Sequence, residues 1–214
     1  MVFDDDLAPH EKASYQKLCE DWFPTSHVRP RVRQEGVRVE NKTLFLGCRA
    51  GPGVYLSNLA HEMGHFIECD RRYLLHSDWG MSVHQVEVMG RLYPEPVTYQ
   101  CTQREIRVWV IQAKILEAIE GFDWFPSIIE GLQSAVWLPD ICNVPKIQDP
   151  SMYSGLFSEK KHDESRLEWI WQEFKALYAI ADIHQIRQIW HQRTALLKNV
   201  LANTTLERVY PQLW

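Results

Sequence analysis

A run of apolar residues that encloses two histidines constrains the fold of this chain more than any other segment. Apolar side chains recur along it at the spacing of one helical face, at Leu56, Leu59, Met63, Phe66 and Ile67. This pattern predicts a buried helix from about Val54 or Ser57 to Cys69. The Gly-Pro-Gly of residues 51–53 precedes it and would end any earlier element. The chain is therefore expected to fold around a buried helix that carries His61 and His65.

The two histidines and the acid between them form a metal-binding pattern. His61 and His65 are four residues apart, so their imidazoles project from one helical face and can bind a single cation. Glu62 adjoins the first histidine, where a carboxylate can take a proton from a metal-bound water. The segment His61-Glu62-Met63-Gly64-His65 thus matches H-E-x-x-H, and the chain resembles the zinc metallopeptidases known as zincins. An ordinary amphipathic helix with two surface histidines and an acid is the alternative interpretation.

The resemblance implies a hydrolase that binds Zn²⁺ and cleaves a protein or peptide, with Glu62 as its general base. A catalytic zinc usually takes three protein ligands. The long metzincin motif is excluded, because it needs glycine and histidine where this chain has Glu68 and Arg71. The gluzincins, which the chain loosely resembles, take a glutamate from a following helix, and Glu105 fits that role. Glu105 could instead complete a capping box with Thr102.

Four further residues are candidates for the site. Glu87, in a segment that could be strand or helix, is the alternative third ligand. Glu68 lies on the same helical face as His61 but a rise of roughly 10 Å away, which suits orientation of His65 better than ligation. His76 and His84 could line the cleft, although a lone histidine in a loop is more often solvated or capping.

The pattern of the whole chain predicts an α+β fold that is mostly α. A helix over residues 8–22 is expected to precede short strands at Val28–Val39 and Lys42–Cys48. Further helices are predicted at Thr102–Glu120, Pro126–Trp137, Asp163–Ala181 and His184–Ala202, the last two as an antiparallel pair. Residues 1–214 are expected to form one zincin-like domain. A core of about 1–125, with a short sheet and the motif helix, would carry the metal site, and about 126–214 would be helical.

Two segments near the motif have predicted roles in a cleft. Thr43–Gly47 is apolar enough to lie in a sheet beside the motif helix. In zincins a strand edge of that kind pairs with the bound peptide, and the resemblance implies the same role here. Residues 70–98 are irregular in pattern, and a long loop inside a compact domain is often functional.

Charge and cysteine usage narrow the partners and the compartment. The net charge of −5 argues against nucleic acid as the main partner. The five cysteines are odd in number and form no C-x-x-C pair, which favours a reducing compartment. The acidic segment Met1–Asp6 is unlike an export signal, and no apolar run is long enough to span a membrane. A cytoplasmic protein without a membrane partner is expected, and no oligomeric state is predicted.

Two other classes of function fit the same motif. Two histidines and a carboxylate also form the facial triad of non-heme iron oxygenases, with Fe²⁺ in place of zinc. The chain is similar in this respect to elongation factor P hydroxylases, and its motif arrangement also resembles small metallopeptidase-like proteins of phage genomes. A non-catalytic module that a metal stabilises and that binds a partner protein is the third possibility.

Overall fold

The computed structural model describes residues 9–24, 27–32, 36–48, 55–69, 74, 85–88, 91–94, 99–119, 122–126, 128–129 and 164–203. The helices in this part of the chain are α1 (Pro9–Trp22), α2 (Tyr55–Glu68), α3 (Tyr99–Glu117), α4 (Glu164–Ile180) and α5 (Ile183–Asn203). Its strands are β1 (Val28–Val32), β2 (Gly36–Glu40), β3 (Thr43–Cys48), β4 (Gln85–Val88) and β5 (Arg91–Pro94). The predicted class, α+β and mostly α, is confirmed at this level.

The first sheet has three strands in the order β1-β3-β2. Asn41 and Lys42 join β2 to β3, and both have positive φ angles of 48° and 60°, as a two-residue turn of the type that matches strand twist requires. The β2–β3 pair is antiparallel and the β1–β3 pair is parallel. The strand predicted beside the motif helix therefore exists as β3. The implied role of β3 as a peptide-binding edge is wrong, because β3 is paired on both sides.

An ion pair crosses this sheet from β1 to β2. Both terminal nitrogens of Arg31 on β1 donate to the Glu40 carboxylate on β2, at 2.8 and 2.9 Å. The Arg31 guanidinium also lies 3.6 Å from the ring centre of Phe45, on the strand between them. This arginine therefore has a structural partner on each of the other two strands of the sheet.

The main core lies between the first sheet and helices α1, α2, α3 and α5. Leu44 and Leu46 of β3 are fully buried against the apolar face of α2, which includes Leu59 and Met63. Trp190 of α5 closes the core from the other side, where its ring meets Trp22, Phe23 and Phe66 edge-on. The indole N–H of Trp190 donates to the backbone carbonyl of Trp22. The motif helix is buried as its apolar pattern predicts.

Helix α3 is buried on two sides. One side packs on α2 within the main core, and the other forms a second cluster with α4. The helix begins at Tyr99, three residues before Thr102. The capping-box interpretation of Glu105 is therefore wrong, because Thr102 lies within the helix and not at its start.

Helices α4 and α5 are both present, as predicted, and are joined through Ala181 and Asp182. They pack on different partners, however: Ile170 and Phe174 of α4 face α3, whereas Trp190 and Leu197 of α5 face the main core. Within the part of the chain that the structure describes, they make few contacts with each other, so they do not pack together as the predicted pair. Each helix instead covers its own part of α2 or α3.

The segment that was expected to be a long irregular loop contains a strand pair. β4 and β5 form an antiparallel hairpin in which Glu87 is opposite Leu92. Most of the helix predicted at Pro126–Trp137 lies outside the described residues. Among the helices that are described, not one has the length and apolar character that crossing a membrane would need.

Candidate metal centre

Helix α2 presents its two motif histidines side by side. The Nε2 atoms of His61 and His65 are 3.0 Å apart. The two rings are 4.6 Å apart between centroids and stand nearly perpendicular, at 89°. The four-residue spacing on one helical face accounts for this arrangement. Both side chains are mostly shielded from solvent, with 24% and 12% of their surface exposed.

Helix α3 brings a carboxylate to the same point. Glu105 Oε2 lies 3.8 Å from His61 Nε2, and Glu105 Oε1 lies 3.6 Å from His65 Nε2. The three residues together form a group whose potential ligand atoms all lie within 4.8 Å of one another. Glu105 is 8% exposed, although carboxylates are seldom buried without a partner. The structure thus assembles the three residues that the sequence selected as candidate ligands.

The separations of these atoms can be compared with those of a zinc site. Zinc binds imidazole nitrogen and carboxylate oxygen at about 2.0–2.2 Å, so neighbouring corners of a tetrahedral site are about 3.3–3.6 Å apart. The three observed separations, 3.0, 3.6 and 3.8 Å, are close to that range. A donor set of two imidazoles and one carboxylate also suits Zn²⁺ or Fe²⁺ chemically. The residues present therefore fit a metal ion of this kind.

A glycine inside the motif allows the two helices to approach closely. A Cβ atom added at Gly64 would lie 2.9 Å from both the carbonyl oxygen and Cγ1 of Val108. Real Cβ atoms almost never come so close to other atoms, so this position favours glycine. Further along, Arg107 Nε donates to Glu68 Oε2 at 2.7 Å and joins the same two helices. Together these contacts hold Glu105 at the level of the histidines.

A buried amide supports the first histidine. Gln112 Oε1 lies 3.1 Å from His61 Nδ1, and Gln112 Nε2 donates to the carbonyl oxygen and the hydroxyl of Ser57, at 3.1 and 2.8 Å. Gln112 is not among the site residues predicted from the sequence. A sequence pattern pointed to it, because Gln112 is a polar residue seven positions after Glu105, which places both on the same, otherwise apolar, face of α3.

Burial sets the charge states of the three candidate ligands. It lowers the pKa of His61 to about 4, although the hydrogen bond that His61 makes to Gln112 opposes this shift. It also lowers the pKa of His65 well below the usual value, and the charges of His61 and Arg104 add to the effect. Both imidazoles are therefore neutral at pH 7, which is the form that binds metal.

The carboxyl group of Glu105 is shifted in the opposite direction. Burial, together with the negative charge of Glu62, raises the pKa of Glu105 to about 7, and the positive charge of Arg104 opposes this shift. The interaction with Glu62 places the predicted general base near this carboxylate. Glu62 itself is half-buried on α2, next to His61.

The remaining candidates are placed less completely. The carboxylate of Glu68, which was predicted to orient His65, accepts a hydrogen bond from Arg107 and so connects α2 to α3. The polar side chain that contacts a motif histidine is Gln112, and the histidine that it contacts is His61. Glu87 lies in β4, but its side chain is outside the description, as are His76 and His84 entirely. Their predicted roles stay predictions.

Comparisons of the chain with protein-family models, with curated proteins and with solved structures found no match. What the chain does must therefore be inferred from its own residues.

Proposed function

We propose that this protein is a metal-dependent hydrolase that cleaves peptide bonds, with a Zn²⁺ ion held by His61, His65 and Glu105. The observation that carries the proposal is the convergence of these three side chains from two helices at a buried point. The presence of Glu62 beside them supports hydrolysis as the reaction.

The energetic cost of the group supports a bound cation. Removing ionisable groups from water is unfavourable unless they are paired, hydrogen-bonded or bound to a metal. Glu105 has a raised pKa in this environment, and both histidines have lowered values. Each shift reports that the local environment disfavours the charged form. A divalent cation would instead favour the ionised carboxylate and use the lone pairs of the neutral imidazoles.

When bound, the metal would polarise the scissile carbonyl and lower the pKa of a water molecule to near 7. The protein contributes the remaining parts of the reaction. Glu62 would accept the proton of the attacking water and deliver it to the leaving amine. The described residues supply three ligand side chains at this point, and a catalytic zinc site typically has three and leaves a position for water.

The position of the substrate differs from the one that the zincin resemblance implies. A peptide could not add to β3 as a new strand, because β1 and β2 occupy its two sides. Among the strands that the structure describes, only β1 and β2 have an outer side that is an edge of this sheet. The proposed function therefore retains the zincin chemistry and leaves out the zincin mode of strand addition at β3.

The experiment uses the whole protein, purified without chelators. Metal content is measured by elemental analysis, and the zinc-loaded protein is then screened against a mixture of peptides with mass-spectrometric detection. Glu62→Gln removes the base and keeps the size of the side chain. Glu20→Gln is the matched control, because Glu20 is exposed on α1.

The proposal expects about one zinc per chain and peptide cleavage that falls by roughly 10²–10⁴-fold in the Glu62→Gln protein, with its metal retained. The Glu20→Gln control should keep full activity. Cleavage that is undiminished in Glu62→Gln would refute the proposed role of Glu62. Iron with oxygen-dependent turnover would replace the hydrolase by an oxygenase.

A further inference from the structure

Gln112 is a buried side chain whose two amide atoms have different kinds of partner. Its Nε2 faces the backbone carbonyl of Ser57, at 3.1 Å, and its Oε1 faces His61 Nδ1, also at 3.1 Å. A backbone carbonyl can only accept a hydrogen bond, so the NH₂ end of the amide must point to Ser57. This fixes the orientation of the amide independently of any choice between its oxygen and nitrogen.

The fixed amide determines which nitrogen of His61 carries the proton. Gln112 Oε1 can only accept, so the hydrogen bond requires a proton on His61 Nδ1. A neutral imidazole has one N–H, and therefore the Nε2 of His61 has a free lone pair. That lone pair points to the place where His65 and Glu105 converge.

The second histidine must then be in the other form when no metal is bound. The two Nε2 atoms are 3.0 Å apart, which is a hydrogen-bond distance. Since His61 Nε2 is the acceptor, His65 Nε2 must be the donor and carry the proton. The two histidines of the motif are thus chemically different, although the sequence pattern treats them alike.

We propose that Gln112 is a positioning residue that presets His61 as the first ligand, so that, of the two histidines, only His65 rearranges on metal entry. His65 loses the proton at Nε2 and takes one up at Nδ1, so its imidazole stays neutral and exposes the lone pair. We use the name amide relay for the contacts that run from the Ser57 carbonyl through Gln112 to His61. The part of this inference that concerns metal entry rests on the proposed function, whereas the tautomer of His61 does not.

The test is nitrogen NMR on the full-length protein with ¹⁵N-labelled histidine, first metal-free at pH 7.5 and then with one equivalent of Zn²⁺. The His61→Ala and His65→Ala proteins assign the signals. In the metal-free protein, His61 is expected to be protonated at Nδ1 and His65 at Nε2. Zinc is expected to leave the proton of His61 in place and to move that of His65 to Nδ1.

Substitutions separate positioning from general stability. Gln112→Leu removes both ends of the amide relay, so His61 should lose its fixed tautomer, and zinc affinity should fall by about 10–100-fold, the usual effect of an outer-shell partner. Ser57→Ala keeps the carbonyl and should leave the tautomer of His61 unchanged. Gln188→Leu makes the same chemical change on the exposed side of α5 and should change neither property.

The possible failures are distinguishable. Metal-free wild-type protein with the proton of His61 on Nε2 would overturn the inference, and this measurement does not depend on the folding of any variant. An unchanged His61 tautomer in a folded Gln112→Leu protein would overturn it as well. If His61 is protonated at Nδ1 but zinc does not bind, the conclusion that Gln112 fixes the tautomer of His61 stands, and the proposed function is wrong.

Discussion

The two sides of helix α3 are both buried, but they bury different chemistry. The side that faces α2 carries Glu105 and Gln112, which are 8% and 3% exposed. The buried residues on the side that faces α4 are apolar or aromatic, in a cluster formed by Ile106, Trp109, Val110, Ala113, Ile128, Ile170 and Phe174, and the charged Lys114 contacts Tyr178 at its margin. Near that cluster, the rings of Trp171, Phe174 and Tyr178 stack along α4, with centroids 5.5 and 5.7 Å apart.

The apolar side of α3 contributes to the stability of the fold, whereas the polar residues on its other side belong to the proposed metal site. Apolar burial on the α4 side favours folding directly. Burying polar groups on the α2 side costs free energy that hydrogen bonds offset only in part. The proposed metal site gives these buried groups a function. The comparison predicts that substitutions of the apolar residues on the α4 side reduce stability, whereas substitutions of the two polar residues on the α2 side, Glu105 and Gln112, reduce metal binding.

The largest expected effect on stability is on the α4 side. Phe174 is 1% exposed, and Phe174→Ala should lower the free energy of unfolding by about 3–5 kcal/mol. Glu105→Gln should leave the metal-free protein at pH 8 equally stable or more stable, because the ionised carboxylate is unfavourable there above its raised pKa of about 7. Urea denaturation of both metal-free variants measures this. A Glu105→Gln protein as unstable as Phe174→Ala would remove the distinction between the two sides.

The close approach of α2 and α3 predicts a smaller effect. Gly64→Ala should force Val108 away and cost about 1–3 kcal/mol of stability. Because the helix that moves carries Glu105, zinc affinity should fall as well. Val108→Ala in the same protein removes one of the two close atoms but leaves the backbone oxygen, so it should recover only part of the stability. Calorimetry with and without zinc measures both the stability and the zinc affinity. Full recovery of stability in the double variant would mean that the backbones of α2 and α3 are not in tight contact.

The smallest effect concerns pH. Below a pH of about 7 the carboxyl group of Glu105 holds a proton that zinc must displace, so zinc affinity should fall by up to tenfold per pH unit as the pH is lowered. Above this pH that contribution should be constant. Glu62→Gln removes a charge that raises the pKa of Glu105, so the break should move to lower pH. Zinc titrations between pH 5.5 and 8 measure it, and an unmoved break would show that the Glu62 charge does not act on Glu105.

The sequence predicted the parts of this molecule that depend on local spacing. The apolar period around His61 and His65 located α2, and the broad stripe after Thr102 located α3, since each helix has one face that is uniformly apolar. The choice between metal ligand and capping residue for Glu105 could not be made from the sequence. It depends on where α3 begins: the predicted start was Thr102, whereas the helix begins at Tyr99.

The parts that the sequence missed depend on how distant elements meet. The central position of β3 follows from the parallel pairing with β1, which local patterns do not encode. Helices α4 and α5 have separate packing partners: α4 packs on α3, and α5 packs on the main core. Gln112 acquires its importance only from its contacts with Ser57 and His61 across the helix interface.

The central claim is that the side of α3 that faces α2 completes a metal site, and a zinc titration of the whole protein tests it most directly. Wild type is compared with the His61→Ala/His65→Ala protein, and with His184→Ala/His191→Ala, which removes two exposed histidines of α5. One zinc should bind per chain in wild type and in the α5 control, and none should bind stoichiometrically after loss of His61 and His65. Stoichiometric zinc that persists without His61 and His65 would contradict the account.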